Sequence, residues 1–118
     1  MFLKIIQKDS HVMVKILQDI MMTNTTEFSE NFQKVLNLHP AFVAFDFSGV
    51  KFVDSSGIGI IISLVNELKK NGTQISLFNM HKSLFSVFKL SGLYHIMDLY
   101  RTPEEFYEKY PEWINVDN

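Results

Sequence analysis

The segment that begins at residue 45 reads Phe45-Asp46-Phe47-Ser48-Gly49-Val50-Lys51-Phe52-Val53-Asp54-Ser55-Ser56-Gly57-Ile58-Gly59. Before it, residues 41–45 are continuously apolar, as expected of a strand that is covered on both faces of a sheet. After it, apolar side chains recur at positions 58, 61, 62, 65 and 68, the spacing of one helical face. The sequence therefore predicts a central strand, a polar loop that ends in two serines, and an amphipathic helix.

The chain before this segment predicts a hairpin and a first helix. Residues 3–6 and 11–17 are rich in Ile and Val, and Asp9 and Ser10 between them favour a turn. Thr23 or Asn24 is a candidate cap for a helix whose buried stripe is formed by Phe28, Phe32, Val35 and Leu36.

The chain after the segment continues to alternate strands and helices. We predict strands at 75–78 and 96–100, a helix at 82–90, and a last helix that starts at Pro103. That last helix is expected to carry Phe106, Tyr107, Tyr110 and Trp113. Alternation of this kind implies right-handed crossovers. The fold class is α/β, a sandwich of a mixed four- to five-stranded sheet with about four helices.

Composition excludes several classes of protein. A chain of 118 residues fits one domain, residues 1–118, and zero cysteines exclude disulfides and thiolate metal ligands. A net charge of −2 without a basic cluster argues against direct nucleic-acid binding. No apolar run is long enough to span a membrane and no signal-peptide pattern is present, so we expect a cytoplasmic protein.

Catalytic and cofactor motifs are also missing from the sequence. Neither Ser55 nor Ser56 stands in a Gly-x-Ser-x-Gly elbow, and Gly57-x-Gly59 lacks the third glycine of a dinucleotide fingerprint. The four histidines are widely separated, which gives no metal-binding spacing. We expect no enzyme activity, no cofactor and no metal site.

The two serines admit two interpretations. Free N–H groups and the dipole at a helix N-terminus favour negative charge, so a phosphate on Ser55 or Ser56 would be tolerated there. Alternatively, Asp54, Ser55 and Ser56 are only cap and turn residues, which local chemistry by itself favours.

Beyond local chemistry, the segment resembles the signature of STAS domains, in particular bacterial anti-sigma factor antagonists. In that family a strand ending in Asp-x-Ser leads to an Asp-Ser-Ser-Gly motif that opens a helix, and this chain has Asp46-Phe47-Ser48 and Asp54-Ser55-Ser56-Gly57. The ending Phe88-Lys89-Leu90-Ser91-Gly92-Leu93 is also similar to the family pattern. The resemblance extends over nearly the whole chain.

The resemblance implies a partner-switching protein. Ser55 matches the serine that an anti-sigma factor serine kinase phosphorylates, with Ser56 as runner-up, and a separate phosphatase would reset it. The unmodified protein, a monomer or weak dimer, would bind the anti-sigma factor. The residues expected at that interface are Asp19, Met21, Met22, Asp54, Ser55, Ser56, Gly57 and Ile58. A bulky residue at Gly57 is expected to block docking without disturbing the fold.

One loop departs from the family pattern. Where such antagonists usually carry Gly-Glu-Leu-Asp, this chain has Gln18-Asp19-Ile20-Met21, which leaves one carboxylate. Met21 and Met22 would form an adaptable apolar contact patch, or one of them would enter the core. The alternative function is a STAS scaffold or an accessory subunit of a signalling assembly or lipid-transport complex.

Overall fold

The computed structural model describes residues 2–117, and in them strands and helices follow one another largely as predicted. The strands are β1 (Leu3–Lys8), β2 (His11–Ile16), β3 (Phe42–Asp46), β4 (Gln74–Phe78) and β5 (Asp98–Tyr100). The helices are α1 (Thr25–Asn37), α2 (Ser55–Lys70), α3 (Lys82–Leu90), α4 (Pro103–Lys109) and α5 (Ile114–Asp117). Short 3-10 turns lie at Met22–Asn24, Leu93–His95 and Pro111–Trp113.

The five strands form one mixed sheet in the order β1-β2-β3-β4-β5. β1 and β2 are antiparallel and joined by a turn in which Asp9 has a φ of 54°. The other neighbouring pairs are parallel. β3 lies in the middle of the sheet, and its Val43, Ala44 and Phe45 are at most 2% exposed. The prediction of a mixed sheet with residues 41–45 near its centre is confirmed.

The two faces of the sheet are covered by different helices. Neighbouring strand residues point to opposite faces, so Val43 and Phe45 face one side and Ala44 faces the other. Val43 and Phe45 belong to the larger core, under α1, α2 and α3. Ala44 belongs to a smaller core with Phe106 and Trp113 from the C-terminal segment.

The predicted stripe of α1 is confirmed, since Phe28, Phe32, Val35 and Leu36 are its buried residues. Phe32 stacks on Phe45 of the central strand with 5.4 Å between ring centroids, which fixes the helix to the sheet. The stripe of α2 is shifted relative to the prediction. Its buried side chains include Leu64, which was not predicted, whereas Ile58 and Ile62 are only half-buried.

The prediction that one helix carries Tyr110 and Trp113 is wrong. α4 ends at Lys109, and Tyr110 leaves the helical region with φ −131° and ψ 73°. Pro111 explains the break, because it disfavours helical backbone in the residue before it and lacks an N–H. Trp113 therefore reaches the sheet from a separate turn. Among the described residues, no helix combines the length and the apolar character needed to cross a membrane.

Candidate partner-binding surface at the start of helix α2

The loop before α2 is joined to the loop after β2 by an isolated parallel bridge. Ile20 pairs with Val53. The Ile20 N–H donates to the Phe52 carbonyl at 3.2 Å, and the Asp54 N–H donates to the Ile20 carbonyl at 3.2 Å. Ile20 is 0% exposed and Val53 is 7% exposed, so the bridge lies inside the protein. The two loops that sequence analysis singled out are therefore one rigid unit.

Asp19 strengthens this connection between the loops. Its Oδ1 accepts hydrogen bonds from the backbone N–H groups of Lys51 at 2.7 Å and Phe52 at 3.1 Å. An interface role of Asp19 stays a prediction, and in the structure its carboxylate is engaged with two backbone donors. Its first effect is to hold the loop before α2 in place.

Asn24 closes the loop after β2 and does not cap α1 with its side chain. It stands at the cap position, but its Oδ1 accepts from the Met21 N–H at 2.9 Å. Its Nδ2 donates to the Asp19 carbonyl at 2.9 Å. The predicted cap residue thus folds the segment that carries the two methionines.

Asp54 is the cap of α2. Its Oδ1 accepts from the Gly57 N–H at 2.8 Å and its Oδ2 from the Met22 N–H at 2.9 Å. The hydrogen bond from the Gly57 N–H lowers the pKa of the Asp54 carboxyl below its ordinary value of 3.8, and the hydrogen bond from the Met22 N–H lowers it further. The ionised side chain therefore satisfies a helix N–H and holds Met22 beside the helix start.

Gly57 faces the interior, which corrects the expectation for this residue. It is buried, and a Cβ on it would lie 2.6 Å from the Ile20 carbonyl oxygen and 2.6 Å from Val53 Cγ1. Glycine permits close approach here, but the backbone that approaches is the protein's own bridge. A bulky substitution at Gly57 would therefore disturb the fold, contrary to the expectation that it would only block docking.

Ser55 and Ser56 are the first two residues of α2, and both are exposed. Neither hydroxyl has a hydrogen-bond partner among residues 2–117, because the capping bond belongs to Asp54. The cap interpretation is therefore right for Asp54 and wrong for the serine side chains. The structure leaves both hydroxyls accessible on a rigid support.

Exposed apolar side chains surround the same loops. Met22 is 71% exposed, Phe52 53% and Leu17 43%, whereas Met21 is half-buried and Ile58 packs partly against the larger core. Neither methionine is a member of the two cores. The exposed position of Phe52 was not predicted from the sequence. Its side chain points outward because the next residue, Val53, is buried in the bridge. We call Leu17, Met22, Phe52, Ser55 and Ser56 the loop surface.

Metal chemistry has no support at this surface. Within the part of the chain that the structure describes, no group of three or more His, Cys, Asp or Glu side chains is placed to hold a metal ion. The loop surface instead combines two hydroxyl groups with exposed apolar side chains, beside the Asp54 carboxylate that caps α2.

In this structure a helix that follows a buried strand begins with two accessible serines. Comparison of the sequence with known protein families gives a match that agrees with this arrangement. Residues 3–106 match the STAS domain family model, which is most of the chain. The protein belongs to the STAS domain family.

The relatives that are similar in sequence are named as anti-sigma-B factor antagonists. The anti-sigma-B factor antagonist of Bacillus subtilis is 32% identical over 50 residues, 42% of this chain and 46% of that protein. The anti-sigma-B factor antagonist of Listeria monocytogenes is 28% identical over 54 residues, 46% of this chain and 47% of that protein. In both cases the match spans about half the length of the relative.

Solved structures show the same fold. A putative anti-sigma factor antagonist from Thermotoga maritima superposes with a TM-score of 0.76 and 21% identity, covering 91% of this chain and 92% of that one. The predicted STAS-type sandwich is therefore confirmed.

Proposed function

We propose that this chain, taken as one STAS domain over residues 1–118, is an anti-sigma factor antagonist controlled by phosphorylation of Ser55. The unmodified protein binds an anti-sigma factor through the loop surface and so frees a sigma factor. Phosphorylation by the anti-sigma factor, acting as a serine kinase, ends this binding. The names of the relatives support an anti-sigma factor as the partner. The accessible Ser55 hydroxyl, next to the Asp54 side chain that caps α2, is the observation that supports control by phosphorylation.

Rigidity of the support favours regulation by contact and not by refolding. The Ile20–Val53 bridge and the Asp19 hydrogen bonds fix the loops before any partner arrives. Ser55 lies at a helix N-terminus, where added negative charge is tolerated within the protein. A phosphate therefore changes the surface while the fold persists.

The same phosphate opposes binding because docking removes it from water. Its dianion would be buried next to the ionised Asp54 carboxylate, and none of the five residues of the loop surface carries a positive charge. A hundredfold loss of affinity requires about 2.7 kcal/mol, and burying an unpaired charge costs more than that. One modification is thus enough to reverse the binding equilibrium.

The remaining parts of the cycle follow from this mechanism. Reset needs a separate phosphatase, and the site of action is the cytoplasm, where the kinase and ATP are present. The chain acts as a monomer or weak dimer and touches no nucleic acid itself, since its net charge is −2.

The decisive experiment compares two neighbouring hydroxyls. The wild type, Ser55→Ala and Ser56→Ala are incubated with an anti-sigma factor kinase and ATP, and the modified residue is mapped by peptide mass spectrometry. We expect one phosphate on the wild type and on Ser56→Ala and none on Ser55→Ala. Phosphate on Ser55→Ala but not on Ser56→Ala would assign the switch to Ser56. If the phosphorylated wild type binds the partner as tightly as the unmodified protein, the switch is wrong and a scaffold role replaces it.

A further inference from the structure

A cavity lies on the face of the sheet that carries the smaller core, away from the loop surface. It has a volume of about 250 Å³ and is lined by the first residues of β2, β3 and β4, which are His11, Phe42 and Gln74, and by Trp113 of the C-terminal segment. The loop surface follows the C-terminal ends of β2 and β3, whereas the cavity lies at the N-terminal ends of these strands, so the two sites are at opposite ends of the strands. The cavity therefore has no part in the proposed docking.

Ser76 on β4 gives this cavity an unsatisfied polar group. Ser76 is 5% exposed and lines the cavity, yet its hydroxyl has no hydrogen-bond partner among residues 2–117. The other buried polar side chains are bonded: Thr73 Oγ1 donates to the Pro40 carbonyl at 2.8 Å, and Asp46 Oδ1 accepts from the Ser48 N–H and from Asn79. A buried hydroxyl without a partner is unfavourable, and Ser76 lines the cavity, so a molecule bound there would be able to supply the missing hydrogen bond.

Aromatic rings form the walls of the cavity. His11 stacks on Phe42 with a centroid distance of 4.7 Å and an interplanar angle of 23°. Trp113 meets His11 edge-on at 4.9 Å and 69°. Rings in this arrangement offer flat apolar surfaces, which favour a planar ligand.

The polar groups of the cavity favour a ligand that donates hydrogen bonds. Glu112 lines the cavity, and none of the described lining residues is Lys or Arg. Tyr110 donates to Asp98 Oδ2 at 2.8 Å and accepts from Gln74 Nε2 at 3.2 Å, which leaves the Gln74 side-chain carbonyl free to accept. Burial has the largest effect in raising the pKa of Tyr110, and the Asp98 carboxylate raises it further. The Tyr110 hydroxyl therefore stays protonated in this chain of hydrogen bonds.

The volume limits the size of the ligand. Because water occupies about 30 Å³ per molecule in the liquid, a cavity of this size is far larger than one buried water needs. It is also smaller than the sites that enclose drug-sized ligands, which begin near ~300 Å³. A molecule of one or two fused rings fits between these limits.

We propose that this cavity binds a small planar aromatic amine or amino-substituted nitrogen heterocycle. Its ring lies against Trp113 and the His11–Phe42 pair, and its N–H groups donate to Ser76 Oγ, the Glu112 carboxylate and the Gln74 carbonyl. The Ser76 hydroxyl gains the partner that the protein alone does not supply.

Trp113 makes the proposal directly testable, because it is the single tryptophan of the chain and it lines the cavity. Adenine and 2-aminobenzimidazole are titrated against the protein while tryptophan fluorescence is recorded, and melting curves are measured at the same concentrations. Benzoate, planar but anionic and without N–H groups, is the control ligand. We expect a saturable fluorescence change and a higher melting temperature with at least one amine, and neither with benzoate.

Two variants relate the signal to the named contacts. Ser76→Ala removes only the hydroxyl and should weaken binding about tenfold while melting no lower than the wild type, since it deletes an unsatisfied group. Glu112→Gln should weaken binding severalfold, whereas Glu108→Gln, an exposed acid on α4 outside the cavity, should not. No saturable change with either amine at millimolar concentration would refute the proposal and leave the cavity to water. Equal affinity in all three variants and the wild type would also overturn it.

Discussion

Replacing Gly57 with alanine adds one methyl group where α2 meets the bridge between the loops. The new Cβ would lie 2.6 Å from the Ile20 carbonyl oxygen and 2.6 Å from Val53 Cγ1. One of these neighbours is backbone, so the helix or the bridge must shift, and overpacking of this kind costs about 1–3 kcal/mol. The helix propensity of alanine offsets at most about 1 kcal/mol. We expect a net loss of about 1–2 kcal/mol in the free energy of unfolding.

Gly59 provides the matched control within the same helix. It is exposed, and a Cβ on it meets nothing within 4 Å. Gly59→Ala should therefore gain about 0.5–1 kcal/mol from helix propensity and reduced freedom of the unfolded chain. For a chain of this size 1 kcal/mol corresponds to about 4 °C, so the two variants should differ in melting temperature by about 6–12 °C.

Urea unfolding followed by circular dichroism measures the same difference as a shift of the midpoint at constant m value. If Gly57→Ala unfolds at the same or a higher urea concentration than Gly59→Ala, α2 does not depend on its close approach to Ile20. The bridge between Ile20 and Val53 would then not be the rigid support of Ser55. Binding of the anti-sigma factor by Gly57→Ala should also weaken, because a shift of the bridge displaces the residues of the loop surface.

Three further changes separate surface from fold. Ser55→Asp should bind the anti-sigma factor at least tenfold more weakly than Ser55→Ala in calorimetry, about 1.4 kcal/mol, with melting temperatures nearly equal; equal affinities would contradict the charge mechanism. Phe52→Ser should weaken binding by about 1–2 kcal/mol without lowering stability, whereas Leu90→Ser, at a position 88% exposed on α3, should change neither; the reverse pattern would move the interface to α3. Because the pKa of Asp54 is lowered below 3.8, its carboxylate stabilises the fold above that value and loses this effect as the pH falls through the lower, folded-state pKa. The free energies of unfolding of the wild type and Asp54→Asn should therefore converge in acid. A gap that persists to the lowest pH would argue against a stabilising effect of the negative charge, since asparagine can form the same cap.

Much of the fold could be predicted because its signals are local in sequence. The stripe of Phe28 and Phe32 repeats at helical spacing, and α3 has the predicted bounds, Lys82–Leu90. The continuous apolar run at 41–45 indicated a strand covered on both faces, and β3 is that strand. The position of Ser55 and Ser56 at a helix start also followed from the order of strand, loop and helix.

Two local signals compete in the C-terminal segment. Pro111 is visible in the sequence, yet the aromatic spacing from Phe106 to Trp113 suggested one continuous helix. The break at Tyr110 places Trp113 over the sheet, where it lines the cavity together with Ser76. The steric effect of one proline therefore outweighs a helical pattern of apolar residues.

The sequence by itself determined the class of fold, the order of its elements and the serines that begin α2, because periodicity and capping chemistry act between residues close along the chain. Only the tertiary structure decided what those residues face. Gly57 faces inward because Ile20, far away in sequence, crosses beneath it, and Asp54 caps the helix while holding Met22 of another loop. Nothing in the sequence distinguishes Ser76 from other serines in strands. Only the folded structure shows that it lines a cavity together with residues of the C-terminal segment. These contacts join distant parts of the chain, so their distances and partners exist only once the sheet has brought the segments together.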